Sequence, residues 1–159
     1  MTAASQTAAD REEIAALIAR QFRALCWDEE TPPDNAALTG AYLPEAQLFA
    51  SARPAQAQSA QDFAARMEGL RDSGRIPVFE EKGRGLHIWV VGNVAVAMAG
   101  CEMHENRADI TEDISAFLLV RDPDGWAIAA QAWDILPSIA AAFSATGLEA
   151  EPFDVRHFP

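Results

Sequence analysis

Residue types that build covalent or metal frameworks are scarce in this sequence of 159 residues, which has two cysteines and three histidines. Cys26 and Cys101 are too few for a disulfide framework, and their separation matches no zinc-ligand spacing. No two of His87, His104 and His157 lie three to five residues apart, as they would in a metal-binding helix motif. The sequence therefore predicts buried free thiols and no metal site.

Positive charge is also scarce. Twelve Lys and Arg stand against twenty-four Asp and Glu, which gives a formal net charge of −12. A field of that sign repels phosphate backbones and anionic lipid surfaces, so we expect no nucleic-acid partner and no membrane partner. No apolar run approaches the length of a membrane span, and the first residues lack the basic and apolar regions of a signal peptide. We expect a cytoplasmic protein.

Cofactor motifs are missing as well. The only closely spaced glycines, Gly83 and Gly85, precede a predicted strand and not a helix, so no helix N-terminus is available to bind a phosphate. The serines do not match nucleophile-elbow spacing. The sequence thus predicts no cofactor. What is abundant is apolar character, since half of the residues are hydrophobic, enough for one core in a single domain.

Helical periodicity dominates the first half of the chain. Residues 1–9 are small and polar with no apolar period, and we interpret them as a flexible leader. Apolar residues at helical spacing predict a helix over residues 10–27. Asp34 is a candidate cap for a short second helix that carries Leu38 and Tyr42, and residues 46–50 form a candidate edge strand. Ser59 is a candidate cap for a third helix, which ends at Gly74.

The second half reads as successive strands separated by turn signals, typical of an antiparallel meander. Gly83 and Gly85 indicate a bulge in the first of these strands. Helices followed by a meander predict an α+β fold. After Pro137 we expect a short helix over 138–147 and a tail whose Phe153 and Phe158 pack on a partner subunit. The strands are predicted near residues 77–91, 94–104, 111–121 and 126–136.

Several of these segments resemble the SnoaL-like branch of the nuclear transport factor 2-like superfamily. They are Gly92 to Ala97, Ile114 to Arg121, Asp124 to Ile128, and Trp133-Asp134. The resemblance covers residues 10–136 and leaves 137–159 as a C-terminal helix and tail. It implies three N-terminal helices packed on a strongly curved, mostly antiparallel sheet of four to five strands that encloses a cone-shaped cavity. It implies no single function, because the superfamily includes both enzymes and binding proteins.

Strand pairing brings candidate polar residues together. A two-residue turn at Gly92-Asn93 places His87 and Trp89 on the same sheet face as Glu102 and His104. If the next two loops preserve this alternation, Glu102, Asp113 and Asp134 form a row of carboxylates. Neighbouring carboxylates cannot all ionise cheaply, so one of them would titrate near neutral pH and could act as a general acid or base. An odd-length loop or a bulge would break up the row.

Two residues of this set interrupt otherwise apolar strands, which favours a functional use. Asp134 is the candidate proton acceptor and His87 the candidate orienting partner or donor. Each also has a structural alternative, a strand-end acid in solvent and a core or rim histidine. The remaining candidates for contact with a ligand are Trp27, Tyr42, Trp89, Glu102, His104 and Asp113.

Two classes of function stay open. The sequence favours a protein that binds a small, largely apolar metabolite in the cone, with a cofactor-independent isomerase, hydratase, cyclase or hydrolase as the alternative. We also expect a homodimer. The resemblance implies it, and strands 94–103 and 114–120 are apolar on both faces, of which the helices can cover only one.

Overall fold

A computed structural model describes residues 2–159. The fold is α+β, with the first three helices packed on one face of a curved, mostly antiparallel six-stranded sheet. The elements are α1 (Ala3–Ala24), α2 (Asn35–Gly40), β1 (Tyr42–Phe49), β2 (Ala57–Gln58), α3 (Ala60–Asp72), β3 (Phe79–Val91), β4 (Val94–Glu105), β5 (Asp109–Asp122), β6 (Gly125–Leu136), α4 (Ile139–Thr146) and a 3-10 turn (Val155–His157).

Helix α1 begins earlier than its apolar stripe. Thr2 caps it, with its side chain accepting a hydrogen bond from the Ser5 amide, and the helix is continuous from Ala3. The predicted flexible leader is therefore wrong for residues 3–9, and Met1 lies outside the described residues. The reason is helix propensity: four of the seven residues are alanine, which favours helix even where no side chain is buried.

The end of α1 also differs from the prediction. The helix stops at Ala24, and Trp27 instead forms an isolated antiparallel bridge with Phe79 at the start of β3. The two rings stack with centroids 4.9 Å apart, and the indole Nε1 of Trp27 donates to the carbonyl of Ile76 at 2.8 Å. This contact ties the end of α1 to the sheet.

The caps of the next two helices are confirmed. Asp34 accepts from the Ala37 amide at the start of α2, and Ser59 accepts from the Asp62 amide at the start of α3. Tyr42, expected on the second helix, is the first residue of β1. That strand is no edge, because it pairs with β2 on one side and in parallel with β6 on the other.

The sheet order is β2-β1-β6-β5-β4-β3, and every pair except β1 with β6 is antiparallel. The four predicted strands of the meander are confirmed as β3 to β6. The turn at Gly92-Asn93 is confirmed with its register, since His87 pairs with Met98 and Trp89 with Val96.

Side-chain alternation divides the sheet into two faces. On the inner face, against α1 and α3, the side chains of Ala97, Cys101 and Phe117 are buried. On the outer face, Val96 and Leu118 are exposed. The hydrophobic core therefore lies between the helices and the inner face.

Three irregularities decide which residues reach the inner face. The predicted bulge is present between Gly83 and Leu86, where Gly85 has a φ of +95°. The loop between β4 and β5 has three residues, 106–108, and so an odd length. A further register shift lies between Leu118 and Leu119 on β5. Each displaces the pairing by one residue and changes which side chains share a face.

The C-terminal segment packs on its own chain. Phe153 is buried, with its ring 5.8 Å from that of Phe22, and Arg23 donates to the carbonyl of Pro159 at 2.8 Å. The expectation that Phe153 is exposed is therefore wrong. Gly83 on β3 leaves room for the Phe153 ring, since a Cβ on Gly83 would lie 2.5 Å from that ring.

Candidate functional site

A cavity of about 300 Å³ lies between α1, α3 and the inner face of the sheet. Its walls are mainly apolar and aromatic, as expected for a site that holds a small organic molecule. The apolar lining consists of Phe22, Leu25, Phe63, Met67, Leu70, Ile76, Phe79, Met103, Trp133 and Ile135.

Two buried carboxyl groups interrupt this lining, and the less buried Glu105 and the exposed Arg66 also line the cavity. Glu81 on β3 is 8% exposed and Asp113 on β5 is 5% exposed. In the sheet ladder Glu81 lies opposite Met103, and Asp113 lies opposite Cys101. They therefore share the inner face on strands separated by β4, with the two strands about 10 Å apart by ordinary spacing and the two residues offset by two positions along β4. Within residues 2–159, no group hydrogen-bonds to the buried Oε2 of Glu81 or to the buried Oδ1 of Asp113.

Burial sets the protonation of the two carboxyl groups. Removal from water raises the pKa of Asp113 to about 7. Burial raises the pKa of Glu81 well above its ordinary value, and the nearby Asp113 charge raises it further. Burial thus favours the neutral form of Glu81, while Asp113 near neutral pH is divided between its neutral and ionised forms.

A chain of hydrogen bonds forms the polar part of the wall. Gln21 Nε2 on α1 donates to Tyr42 Oη at 3.1 Å, and the Tyr42 hydroxyl donates to Gln131 Oε1 on β6. Gln131 Nε2 then donates to Ser115 Oγ on β5 at 3.1 Å. Gln21, Gln131 and Ser115 line the cavity, whereas Tyr42 lies behind them. The chain joins four elements around the same polar wall.

The cysteines do not supply a thiolate. Cys101 lines the cavity, but burial and the neighbouring carboxyl groups raise its thiol pKa well above the ordinary value. Burial raises the pKa of Cys26 to about 12, and its Sγ accepts from the Glu81 amide at 3.3 Å. Both thiols are protonated near neutral pH, so nucleophilic catalysis by cysteine is not supported.

The structure places the two leading catalytic candidates outside the cavity. Asp134 is exposed on the outer face, paired in register with Ile114. The β5 to β6 turn has the predicted register, but the shift between Leu118 and Leu119 moves Asp134 out of line with Asp113. His87 also lies on the outer face, and its Nδ1 is 2.7 Å from the carbonyl oxygen of Glu149. Neither residue lines the cavity.

The other outer-face candidates are likewise away from the cavity. The ring of Trp89 packs edge-on against His87, and half of the Trp89 side chain is exposed. Glu102 bonds to His104 and forms an ion pair with Arg84 at 3.2 Å. The odd-length loop before β5 pairs Glu102 with Glu112 instead of Asp113, so the predicted row of carboxylates does not form.

Two residues predicted to contact a ligand instead lie behind the cavity wall and pack against the residues that line it. Trp27 stacks behind Phe79, which itself lines the cavity. Tyr42 holds Gln21 and Gln131 in position from behind. Of the eight residues predicted for the site, Asp113 alone lines the cavity.

Sequence reasoning missed Glu81, the second buried carboxyl group. Its signal was the Gly83 and Gly85 bulge: a one-residue shift between Glu81 and His87 sends these two side chains to opposite faces. Gln21 was also missed, although it lies on the buried side of α1, one position before Phe22. Gln131 and Ser115 follow from the same register shifts on β5 and β6.

Two further observations concern residues 2–159. Within this range, no three His, Cys, Asp or Glu side chains lie close enough together to hold a metal ion. None of the helices in the same range combines the length and the apolar character needed to cross a membrane.

Comparison with known proteins gives a fold and no closer relationship. No family model matches the chain, and no curated protein sequence matches it. Solved structures match over most of their length. An NTF2-like protein from Novosphingobium aromaticivorans is 19% identical, with a TM-score of 0.69 over 89% of this chain and 92% of that one.

Two other solved structures show the same architecture. The hexachlorocyclohexane dehydrochlorinase LinA-type3 from Novosphingobium barchaimii is 13% identical, with a TM-score of 0.65 over 84% of this chain and 94% of that one. A protein of unknown function from Nostoc punctiforme is 15% identical, with a TM-score of 0.64 over 84% and 96%. This chain therefore has the cystatin-like fold of NTF2-like proteins.

Proposed function

We propose that this protein binds a small, largely apolar molecule in the inner cavity and catalyses proton transfer on it, with Asp113 as the general base and Glu81 as the general acid. The observation that carries the proposal is the pair of buried carboxyl groups in one mainly apolar cavity, each with a buried oxygen that has no hydrogen-bond partner within residues 2–159. Ionisable groups in such surroundings are costly to the fold unless they are used.

The two carboxyl groups suit opposite tasks. A base must be ionised and yet hold a proton well, which a pKa of about 7 provides at Asp113 near neutral pH. An acid must still carry its proton at that pH, which the raised pKa of Glu81 provides. Environments that separate the protonation states of two carboxyl groups are a general means of assigning acid and base roles.

The corresponding step is proton abstraction from carbon. The Asp113 carboxylate takes a proton from a carbon beside a carbonyl group, and the C–H bonding electrons shift to form an enolate. The neutral Glu81 carboxyl group donates a hydrogen bond or its proton to the oxygen where the charge develops. Isomerisation and elimination both begin in this way. A dehydrochlorinase with the same fold shows that such an architecture houses elimination chemistry in at least one protein.

Deuterium exchange tests this step without knowledge of the natural substrate. The probe is 2-indanone, a compact ketone with exchangeable protons beside its carbonyl group, followed by NMR in heavy water. We expect wild type to accelerate exchange above the rate in buffer, and Asp113→Asn to lose about 100-fold or more of that acceleration. Glu81→Gln keeps a hydrogen-bond donor but not an acid, so we expect a smaller loss, about 10-fold.

The matched control is Asp134→Asn, the same chemical change at an exposed outer-face carboxylate. Its exchange rate should equal that of wild type. The wild-type rate should also rise with pH through about 7 as Asp113 ionises. No acceleration by wild type, or equal acceleration by Asp113→Asn, would contradict the catalytic assignment.

Binding without catalysis is the second candidate, favoured by the apolar lining and the ordered Gln21, Gln131 and Ser115 side chains. In that case, wild type and Asp113→Asn would both bind 2-indanone, as measured by calorimetry, and neither would accelerate exchange. The carboxyl groups would then serve to orient a ligand.

We further propose that the outer face joins two copies of the chain. Trp89, Val96 and Leu118 lie side by side on β3, β4 and β5, and each is 42% exposed or more. Val91 and Val94 extend the same surface. Large contiguous apolar patches of this kind are uncommon on monomers. A second copy of the chain would cover this apolar row, formed by Trp89, Val96 and Leu118, with the same residues of its own.

Sedimentation across a range of concentrations tests the dimer. We expect wild type to sediment as a dimer at micromolar concentration and Val96→Glu to sediment as a monomer, because the substitution places a charge at the centre of the row. Glu45→Lys on β1, an exposed charge reversal away from the row, is the control. A monomeric wild type would contradict the proposal.

A further inference from the structure

The hydrogen-bond chain in the cavity wall ends in an unsatisfied acceptor. Gln21 is 1% exposed and lines the cavity, and its Nε2 is engaged by Tyr42. Its Oε1 is buried and has no hydrogen-bond partner within residues 2–159. Burying an amide oxygen without a donor is costly.

The direction of the chain is given by its hydrogen bonds. Burial raises the pKa of Tyr42, so its hydroxyl stays neutral and has one proton, with which it donates a hydrogen bond to Gln131 Oε1. The same hydroxyl oxygen accepts a hydrogen bond from the Gln21 amide nitrogen. This arrangement leaves Gln21 Oε1 without a donor, in a residue that lines the cavity.

We propose that Gln21 is a specificity-determining residue: its Oε1 accepts a hydrogen bond from the hydroxyl group of the bound molecule, so the cavity takes hydroxyl-bearing alicyclic or aromatic compounds. This inference rests on the proposed binding of a small apolar molecule in the same cavity. It adds the substrate class and a residue with no part in proton transfer.

A neutral donor suits the site better than an ammonium group. The cavity wall is mainly apolar, where a cation would lose its hydration, and the acceptor is an uncharged amide. A hydroxyl group gives the amide its missing partner and brings no charge. Rejection of the analogue that lacks the hydroxyl then follows, because Gln21 Oε1 would again be left without a partner.

The experiment compares two ligands that differ by one hydroxyl group, indan-2-ol and indane, by calorimetry. Measurements are made at about pH 5.5, where Asp113 is protonated and offers no charged acceptor that would compete. The quantity of interest is the preference ratio, Kd of indane divided by Kd of indan-2-ol. The comparison of this ratio between variants cancels the different water solubilities of the two compounds.

Two variants separate the effect of the hydrogen-bond acceptor from the effect of side-chain shape. Gln21→Met keeps the length of the side chain but removes the acceptor, and we expect the preference ratio to fall about 10-fold below that of wild type. Gln21→Glu is nearly isosteric, and its carboxyl group, protonated when buried, can donate to Tyr42 and still offer an oxygen to the ligand. We expect it to retain most of the wild-type preference. Thermal unfolding followed by circular dichroism checks that each variant folds.

Equal preference ratios in wild type and Gln21→Met would overturn the assignment, and so would failure of wild type to bind indan-2-ol. Both results are distinct from failure of the proposed catalysis, which is read from 2-indanone exchange and the Asp113→Asn variant. A protein that prefers the alcohol through Gln21 but exchanges no protons would retain the specificity residue and lose the catalytic role.

Discussion

The two faces of the sheet carry similar residues in different environments. Both are rich in apolar side chains and both carry acidic groups. On the inner face the carboxyl groups of Glu81 and Asp113 are enclosed, and burial raises their pKa values. On the outer face Glu102 is paired with Arg84 and His104, and the pKa of its carboxyl group is lowered, mainly by the bond from His104. Location, and not residue type, decides which acids can exchange protons near neutral pH.

The same contrast applies to the apolar residues. Phe117 and Leu118 are neighbours on β5, yet Phe117 packs against Phe22 in the core while Leu118 is 46% exposed. The inner face is covered by helices, whereas at the outer face of the first hairpin the side chains of Trp89, Val94 and Val96 are exposed. One strand with alternating side chains thus contributes to the core and to an apolar surface at once.

Truncation of the two neighbours on β5 should show the largest difference in stability. Phe117→Ala removes a buried ring, and we expect the free energy of unfolding to fall by about 3 to 5 kcal/mol at any protein concentration. Leu118→Ala should cost less, and its cost should depend on protein concentration if the outer face joins two copies. Urea unfolding at two concentrations checks both. Equal, concentration-independent losses would erase the distinction between the faces.

Stability against pH tests the enclosed carboxyl group directly. The pKa of Asp113 rises from 3.8 to about 7 on folding, so between these values the folded protein holds a proton that the unfolded chain has released. Stability from this group is complete below the lower value and falls as pH rises to the upper one, by about 4 kcal/mol in all.

Asp113→Asn should remove that loss. We expect the variant to match wild type at about pH 4 and to be more stable by up to about 4 kcal/mol at about pH 8. Urea unfolding at both pH values provides the measurement. A difference that is independent of pH would show that Asp113 is not enclosed as the structure has it.

The fold was predictable because its signals are local. The caps at Asp34 and Ser59, the turn at Gly92-Asn93 and the order of β3 to β6 each depend on a few adjacent residues. These signals also set the register of the first hairpin correctly. The three-helix, curved-sheet arrangement followed from them together with the family resemblance.

The site was not predictable to the same degree. Which side chains share the inner face depends on the combined effect of loop lengths and register shifts over several strands. Asp113 could be identified, but whether it faces Asp134 or Glu81 depends on the odd loop at 106–108 and on two one-residue shifts. One such shift moves every following side chain to the other face. The residues that interrupt apolar strands, His87 and Asp134, were for this reason assigned to the cavity and lie outside it.

Alanine substitutions at glycines test where another element covers the outer face. A Cβ on Gly100 of β4 would lie 2.4 Å from the carbonyl oxygen of Arg84 and 2.5 Å from Ile139 on α4. We expect Gly100→Ala to lower the free energy of unfolding by about 1 to 3 kcal/mol, because backbone cannot move aside cheaply. The control is Gly69→Ala on α3, where nothing lies within 4 Å. It should raise stability by about 0.5 to 1 kcal/mol through helix propensity.

The smallest expected effect concerns the exposed carboxylate that the sequence favoured. Asp134 lies on the outer face, and its side chain accepts a hydrogen bond only from the amide of the next residue, Ile135, at 3.1 Å. An exposed acid without a charged partner contributes little to stability, so Asp134→Asn should change the free energy of unfolding by less than about 0.5 kcal/mol. Urea unfolding provides the measurement. A change as large as that expected for Asp113→Asn would place Asp134 in an enclosed site and reverse the assignment of the two faces.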